Sequence, residues 1–393
     1  MRVTHVITRL IVGGAQENTL STVAGLRQIP GMEVYLVSGP SAGREGSLEP
    51  EARRALGEQY VVNVPELVRP VHPLKDWLAL RRLERLLREQ KPDIVHTHSA
   101  KGGILGRLAA KRAGVPLIIH TIHGPSFGTF QGPAANLAFR AAEKFAASVT
   151  GHFIVVADAM KEQHLAAGIG RPEQYTKIFS GFKLEPFLAT TNERQLRAQL
   201  GIAPDDFVIG KIARLFKLKG HDDLFAVAPE LVRRNPNIKF LLIGDGPWHG
   251  RFESLARGQN LEKHFIFAGL VPPGDVAKYT GIMDALVHLS LREGLPRALP
   301  QALAAGKPVV AYDCDGAREV CRDNETGFLI KPGDTAALTN RLLQLAGDPA
   351  LRERLGRRGR ELVRDNFAVE KMVEGIYNLY RKLFVAPLDG VPA

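Results

Sequence analysis

The chain has 393 residues, enough for two domains with a large buried interior. Hydrophobic residues make up 45% and charged residues 24%, which excludes a disordered or fibrous chain, and no stretch approaches the roughly 20 apolar residues of a membrane-spanning helix. The net charge of +11 is denser toward the N-terminus: residues 1–190 carry 23 Lys+Arg against 16 Asp+Glu, the remainder 29 against 25. That balance suits nucleic acid, anionic lipid or a phosphorylated substrate, and the lack of a zinc finger, helix-turn-helix or basic aromatic strand sets nucleic acid aside.

The start, MRVTHVITRLIVGG, is too short and polar for a signal peptide and reads as a first strand. Strands are predicted at Val3–Thr8, Glu33–Ser38, Ile94–His98, Leu117–Ile122, Phe153–Val156 and Tyr175–Phe179, with helices such as Ala15–Leu26, Leu74–Gln90 and Gly103–Ala113 between them. The stretch Leu184–Pro204 is polar and breaks this rhythm, which places a domain boundary near residue 188. Strands resume at Val208–Ala213, Lys239–Gly244, Phe265–Ala268, Ala285–Leu289, Val309–Tyr312 and Gly327–Ile330. Alternation of strand and helix in both halves predicts an α/β fold of two parallel sheets covered on both faces. Ligands of such sheets lie beyond the carboxyl ends of the strands, so the loops there are expected to meet around one inter-domain cleft.

Those loops hold the unusual residues. Gly13-Gly14 follows the first strand and lets backbone approach a ligand closely. No G-x-G-x-x-G is present, which argues against a nicotinamide enzyme. His98 and His123 each end a strand, where a histidine can donate to a phosphate or a sugar but, taken singly, more often serves the sheet. His96, His98, His120 and His123 lack a carboxylate or thiol at ligand spacing, so no metal site is expected. Arg214, Lys217 and Lys219 follow a strand, and a fork plus a point charge suits a diphosphate. Glu293 precedes an apolar helix spanning Leu299 to Ala305, which puts a carboxylate at a helix N-terminus beside free amides. Asp313-Cys314-Asp315 reads as a turn. Cys314 and Cys321 form neither a zinc pattern nor a disulfide framework, consistent with a reducing cytoplasm. The helix around Trp77–Lys91 buries Leu80, Leu83 and Leu87 and crowds Arg81, Arg82, Arg85 and Arg88 on its polar side. That polar side suits solvent or anionic lipid.

Six segments in this order, GGAQENTL, DIVHTHSAKGGILGRLAA, HTIHGPSF, GKIARLFKLKGHDDL, LLIGDGP and SLREGLPRALPQALAAGKPVVA, resemble glycosyltransferase family 4 over nearly the whole chain. The capsule- and exopolysaccharide-forming branch is the most similar. The resemblance implies the GT-B fold: an acceptor domain over 1–188, a nucleotide-sugar domain over 189–366, and a closing helix and tail over 367–393 that cross back to the first domain. It implies a metal-independent, retaining hexosyltransferase with no cofactor, acting on a UDP-sugar and on a glycan or lipid-linked glycan; the cysteine usage adds a cytoplasmic location, and the arginines of the first domain add peripheral membrane contact at the inner face of the plasma membrane. Arg214 and Lys219 would hold the diphosphate, Glu293 the donor sugar, and His123 would face the reacting sugar. Gly13, Gly14, Gly244, Gly269, Leu270, Leu295 and Gln301 would line the donor, and His98 and Lys101 the acceptor side. Two departures stand out. Gln301 replaces the second Glu of the signature and loses a charge-assisted bond to the ribose, and Pro296 removes one amide from the turn. A second reading is a catalytically silent sugar-nucleotide binder, against which intact Arg214, Lys219 and Glu293 speak.

Overall fold

The structure, a computed structural model, describes residues 1–41, 46–128 and 130–385. It forms two compact units: Met1–Phe182 joined by the described chain from Val369 to Val385, and Lys183–Ala368. The division thus falls before residue 188. The short helix Glu185–Leu188 buries Phe187 and packs on the helices Val276–Gly281 and Ala298–Ala304, so it belongs to the second unit. The expected tail over 386–393 lies outside the described residues.

The first unit is built on seven strands: β1 (Arg2–Arg9), β2 (Glu33–Gly39), β3 (Val61–Asn63), β4 (Ile94–His98), β5 (Leu117–Ile122), β6 (His152–Val155) and β7 (Tyr175–Lys177). Their order in the sheet is β3-β2-β1-β4-β5-β6-β7, all pairs parallel. Near-continuous burial along β1, β4 and β5 matches their apolar and threonine-rich sequences, with buried histidines at His5, His96, His98 and His120, as in a sheet covered on both faces. Strand β3 escapes the sequence pattern because only three residues pair, at the sheet edge. The glycines of helix Ala100–Arg112 are packing residues. A Cβ on Gly102 would stand 2.6 Å from the Thr8 amide, and one on Gly106 2.8 Å from Thr97. The closing helix Val369–Val385 completes this core with Met372, Val373, Ile376, Leu379 and Tyr380.

The second unit repeats the plan with β8 (Phe207–Ile212), β9 (Ile238–Ile243), β10 (Phe265–Gly269), β11 (Ala285–His288), β12 (Val309–Tyr312) and β13 (Gly327–Ile330). The order is β10-β9-β8-β11-β12-β13, again parallel. In each sheet the chain reverses its direction of travel beside the first strand, between β1 and β4 and between β8 and β11. A crevice opens at such a point because successive helices leave toward opposite faces.

Candidate functional site

In the second unit four loops at the carboxyl edge of the sheet are stitched together. The loop after β8 turns through Leu218 (φ 69°) and Gly220 (φ 64°) before the helix His221–Arg234. A Cβ on Gly220 would stand 2.0 Å from the Leu289 carbonyl oxygen, so glycine alone lets this loop lie against the one after β11. The Leu291 amide donates to the Leu218 carbonyl at 2.9 Å. The loop after β9 approaches equally closely: Gly244 (φ 125°) faces the Ala213 carbonyl, and its amide donates to Gly269 at 2.8 Å.

This stitching brings Lys219 and Glu293, 74 residues apart, to 2.5 Å between Nζ and Oε1. Both side chains keep about a quarter of their surface exposed. The Glu293 amide donates to Asp315 Oδ2 at 2.7 Å, and Gly316 donates to the Gly294 carbonyl at 3.0 Å. Burial, the largest single influence, would raise the Glu293 pKa, but the charge and hydrogen bond of Lys219 together with His288 and Ser290 hold the carboxyl below its ordinary range. Burial raises the pKa of Asp315. His288 Nε2 lies 3.7 Å from the Glu293 carboxylate, yet burial pushes the imidazole down to about 3, leaving it neutral. Below the pair, Lys211 on β8 is almost fully buried, and that burial, with Lys219 nearby, pushes its ammonium down to about 7.

Arg214 is exposed, its guanidinium 5.2 Å from the Phe216 ring centre. Gly269 (φ 65°) and the exposed Leu270 end β10, while Leu295 is buried and Gln301 half-buried on the helix Ala298–Ala304. One expectation changes here. Glu293 does not sit at the N-terminus of that helix, which begins only at Ala298; its carboxylate is fixed by Lys219 instead. Asp315, read from sequence as a turn residue, proves to anchor Glu293, and His288 and Lys211 were not singled out at all. Their signal was a charged or titratable residue inside an otherwise apolar strand.

In the first unit Gly13 and Gly14 open the helix Gly14–Arg27 immediately beyond β1, and His123 follows β5. His98 does not line an open surface. It is buried, and both its ring nitrogens are engaged, by His5 at 2.9 Å and His123 at 3.0 Å. Lys101 is likewise tied down, with Nζ 2.5 Å from Asp76 Oδ1 and also donating to the Pro70 carbonyl. The protein itself thus uses both residues assigned to the acceptor side. His5, absent from the sequence reading, joins His96 and His98, one ring nitrogen of each lying within 4.8 Å of the others.

A family model described as "Glycosyl transferases group 1" matches residues 192–362, and one described as "Glycosyl transferase 4-like domain" matches residues 13–178. The chain is 31% identical to the UDP-Gal:alpha-D-GlcNAc-diphosphoundecaprenol alpha-1,3-galactosyltransferase of Escherichia coli, over 82% of this chain and 84% of that one. It is 25% identical to the capsular polysaccharide biosynthesis glycosyltransferase CapM of Staphylococcus aureus, over 83% and 87%. Among solved structures, the Anabaena protein HepE in complex with UDP superposes with a TM-score of 0.82 at 20% identity, covering 97% of this chain and all of that one.

Proposed function

The chain belongs to glycosyltransferase family 4, enzymes of the GT-B fold that use nucleotide-sugar donors, and from that premise we propose that it transfers a hexose from a UDP-sugar to a lipid-linked glycan, with retention of configuration. The observation that carries the reading is the Lys219–Glu293 pair at the reversal point of the second sheet, with Arg214 in the same loop after β8 as Lys219. On this reading Glu293 accepts from donor sugar hydroxyls, and Arg214 and Lys219 face the diphosphate. Gly244 and Gly269 bring bare backbone toward the nucleotide. The bond between C1 and the diphosphate oxygen breaks with its electron pair remaining on phosphate. The acceptor oxygen bonds C1 from the same face, and its proton passes to the departing phosphate. No separate general base is then needed, and the two cations stabilise charge that grows only in the transition state. They also supply the positive charge that a metal ion would otherwise provide, so transfer should persist in EDTA.

The E. coli relative acts on a diphosphoundecaprenol-linked sugar, which supports a lipid-linked acceptor here. The first unit also carries a surface suited to a membrane. Among the described residues no helix is long and apolar enough to cross a membrane. Yet Val71, Leu74, Trp77 and Leu78 are exposed around the start of the helix Pro73–Gln90, with Arg69, Lys75, Arg81 and Arg82 exposed beside them. An apolar cluster ringed by cations suits an anionic bilayer surface at the cytoplasmic face.

Arg214→Ala is the test of the transfer chemistry. Turnover should fall about 10²- to 10³-fold with a smaller change in donor affinity; near-wild-type turnover would sink the assignment. A thermal-shift series with UDP-, GDP- and ADP-sugars in EDTA assigns the base, with about 2.7 kcal/mol of stabilisation expected at a hundredfold excess over Kd. For the surface, the double variant Leu74→Ser, Trp77→Ser should lose sedimentation with phosphatidylglycerol vesicles while keeping transfer to a soluble acceptor. Equal sedimentation would remove this face from membrane contact.

A further inference from the structure

Inside the first unit six side chains form one continuous chain of hydrogen bonds. Thr121 Oγ1 meets His96 Nε2 at 2.6 Å, and His96 Nδ1 meets the Tyr380 hydroxyl at 2.5 Å. That hydroxyl lies 3.4 Å from His5 Nε2. His5 Nδ1 meets His98 Nε2 at 2.9 Å, and His98 Nδ1 meets His123 Nε2 at 3.0 Å. The sheet dictates the alignment. His5 on β1 stands opposite His96 on β4, and His98, two residues on, shares its face. Tyr380 reaches in from the closing helix. The members from Thr121 to His98 are buried, while His123 is only half-buried at the end of the chain.

Burial holds all four imidazoles neutral at pH 7: His5 is pushed down to about 3 and His123 to about 4, with His96 and His98 also well below their ordinary value. A neutral imidazole donates from one nitrogen and accepts at the other. With one proton on each ring and one on each hydroxyl, the directions of all five bonds are coupled. Only two arrangements satisfy them, one pointing toward His123 and the other away. The Thr121 hydroxyl decides between them. Among the described residues its sole hydrogen-bond partner is His96 Nε2, and a buried O–H without an acceptor is costly. Thr121 therefore donates, the bonds run toward His123, and the His123 proton resides on Nδ1.

We propose that Thr121, His96, Tyr380, His5 and His98 are positioning residues that lock His123 as a neutral Nδ1–H donor at the reacting site. The tautomer rests on the chain of hydrogen bonds together with the burial that keeps the rings neutral; its catalytic role rests on the reading of His123 as a sugar contact. The same three buried histidines, His5, His96 and His98, are close enough for a metal ion, and that alternative is an outcome of the test.

The experiment is nitrogen-15 NMR of the histidine rings in the full chain, for wild type, Thr121→Val and Tyr380→Phe. Both variants keep the shape of the side chain and remove one hydroxyl. Wild-type His123 should show a pyrrole-type Nδ1 and a pyridine-type Nε2. Either variant should shift His123 toward the Nε2–H form, although Thr121 is five hydrogen bonds away. A wild-type His123 already in the Nε2–H form or averaged, or one indifferent to both variants, would overturn the proposal. So would one equivalent of metal retained on purification. In sugar transfer, kcat should fall about 10- to 100-fold with donor KM little changed, the size of loss that follows removal of the partners orienting metal-bound histidines. A changed tautomer with unchanged kcat keeps the chain of bonds and removes the sugar contact.

Discussion

Replacing Lys211 by Met should stabilise the protein, and the gain should depend on pH in one direction only. Lys211 lies near the carboxyl end of β8, 1% exposed, and burial brings its ammonium from 10.5 to about 7. In the unfolded chain it titrates near 10.4. Between pH 7 and 10.5 the unfolded chain holds this proton and the folded chain does not. Wild-type stability then rises with pH, by at most about 1.4 kcal/mol per unit. Below pH 7 both states are protonated and the full penalty persists, with a ceiling of about 5 kcal/mol; above 10.5 it vanishes. Methionine has similar length and no charge, and it adapts to irregular space. Lys211→Met should therefore gain at least about 2 kcal/mol at pH 6–7, a gain that shrinks steadily toward pH 10. The chain has two tryptophans, and Trp248 packs on the core of the second unit. In a Trp77→Phe background, urea unfolding followed by fluorescence reports that unit directly. Parallel stability–pH curves for the two proteins, or a less stable variant, would refute the reasoning. Loss of turnover in a stabilised Lys211→Met would show that the buried cation is kept for the site below which it lies.

Two further outcomes rest on the geometry. Arg107 and Glu143 form a pair at 2.6 Å with side chains 0% and 3% exposed, so Glu143→Gln should cost about 3–5 kcal/mol in urea unfolding of the first unit, while Arg107→Met with Glu143→Leu should recover most of it. Gly220→Ala should destabilise the second unit by more than about 1 kcal/mol and abolish thermal stabilisation by the donor. Its φ is left-handed, and the new Cβ would meet backbone rather than a yielding side chain; an unchanged melting temperature would contradict the close approach of the two loops.

Most of the architecture is legible in the amino-acid sequence because it rests on short-range pattern. β4, β5, β12 and β13 fall where apolar runs bounded by turn residues place them, and Gly220 and Gly244 announce tight loops by having no side chain. Arg214, Lys219 and Glu293 are legible as types of residue at strand ends. Which groups touch is a different matter, since it depends on register and on loops far apart in the chain. Lys219 finds Glu293 only because β8 and β11 are neighbours and the Leu218–Leu291 hydrogen bond aligns their loops. Asp315 looks like an ordinary turn until its carboxylate receives the Glu293 amide. His98 and Lys101 carry the chemistry of a surface site, yet the fold turns the first inward onto His5 and His123 and pairs the second with Asp76. Tyr380 lies 284 residues from His96, and nothing local in the closing helix signals the contact. Sequence determines which segments form strands and helices and which chemical groups stand at their ends, because period and turn chemistry act over a few residues. The hydrogen-bond partners of those groups are settled only when the sheet brings distant strands side by side and burial removes water as the competing partner.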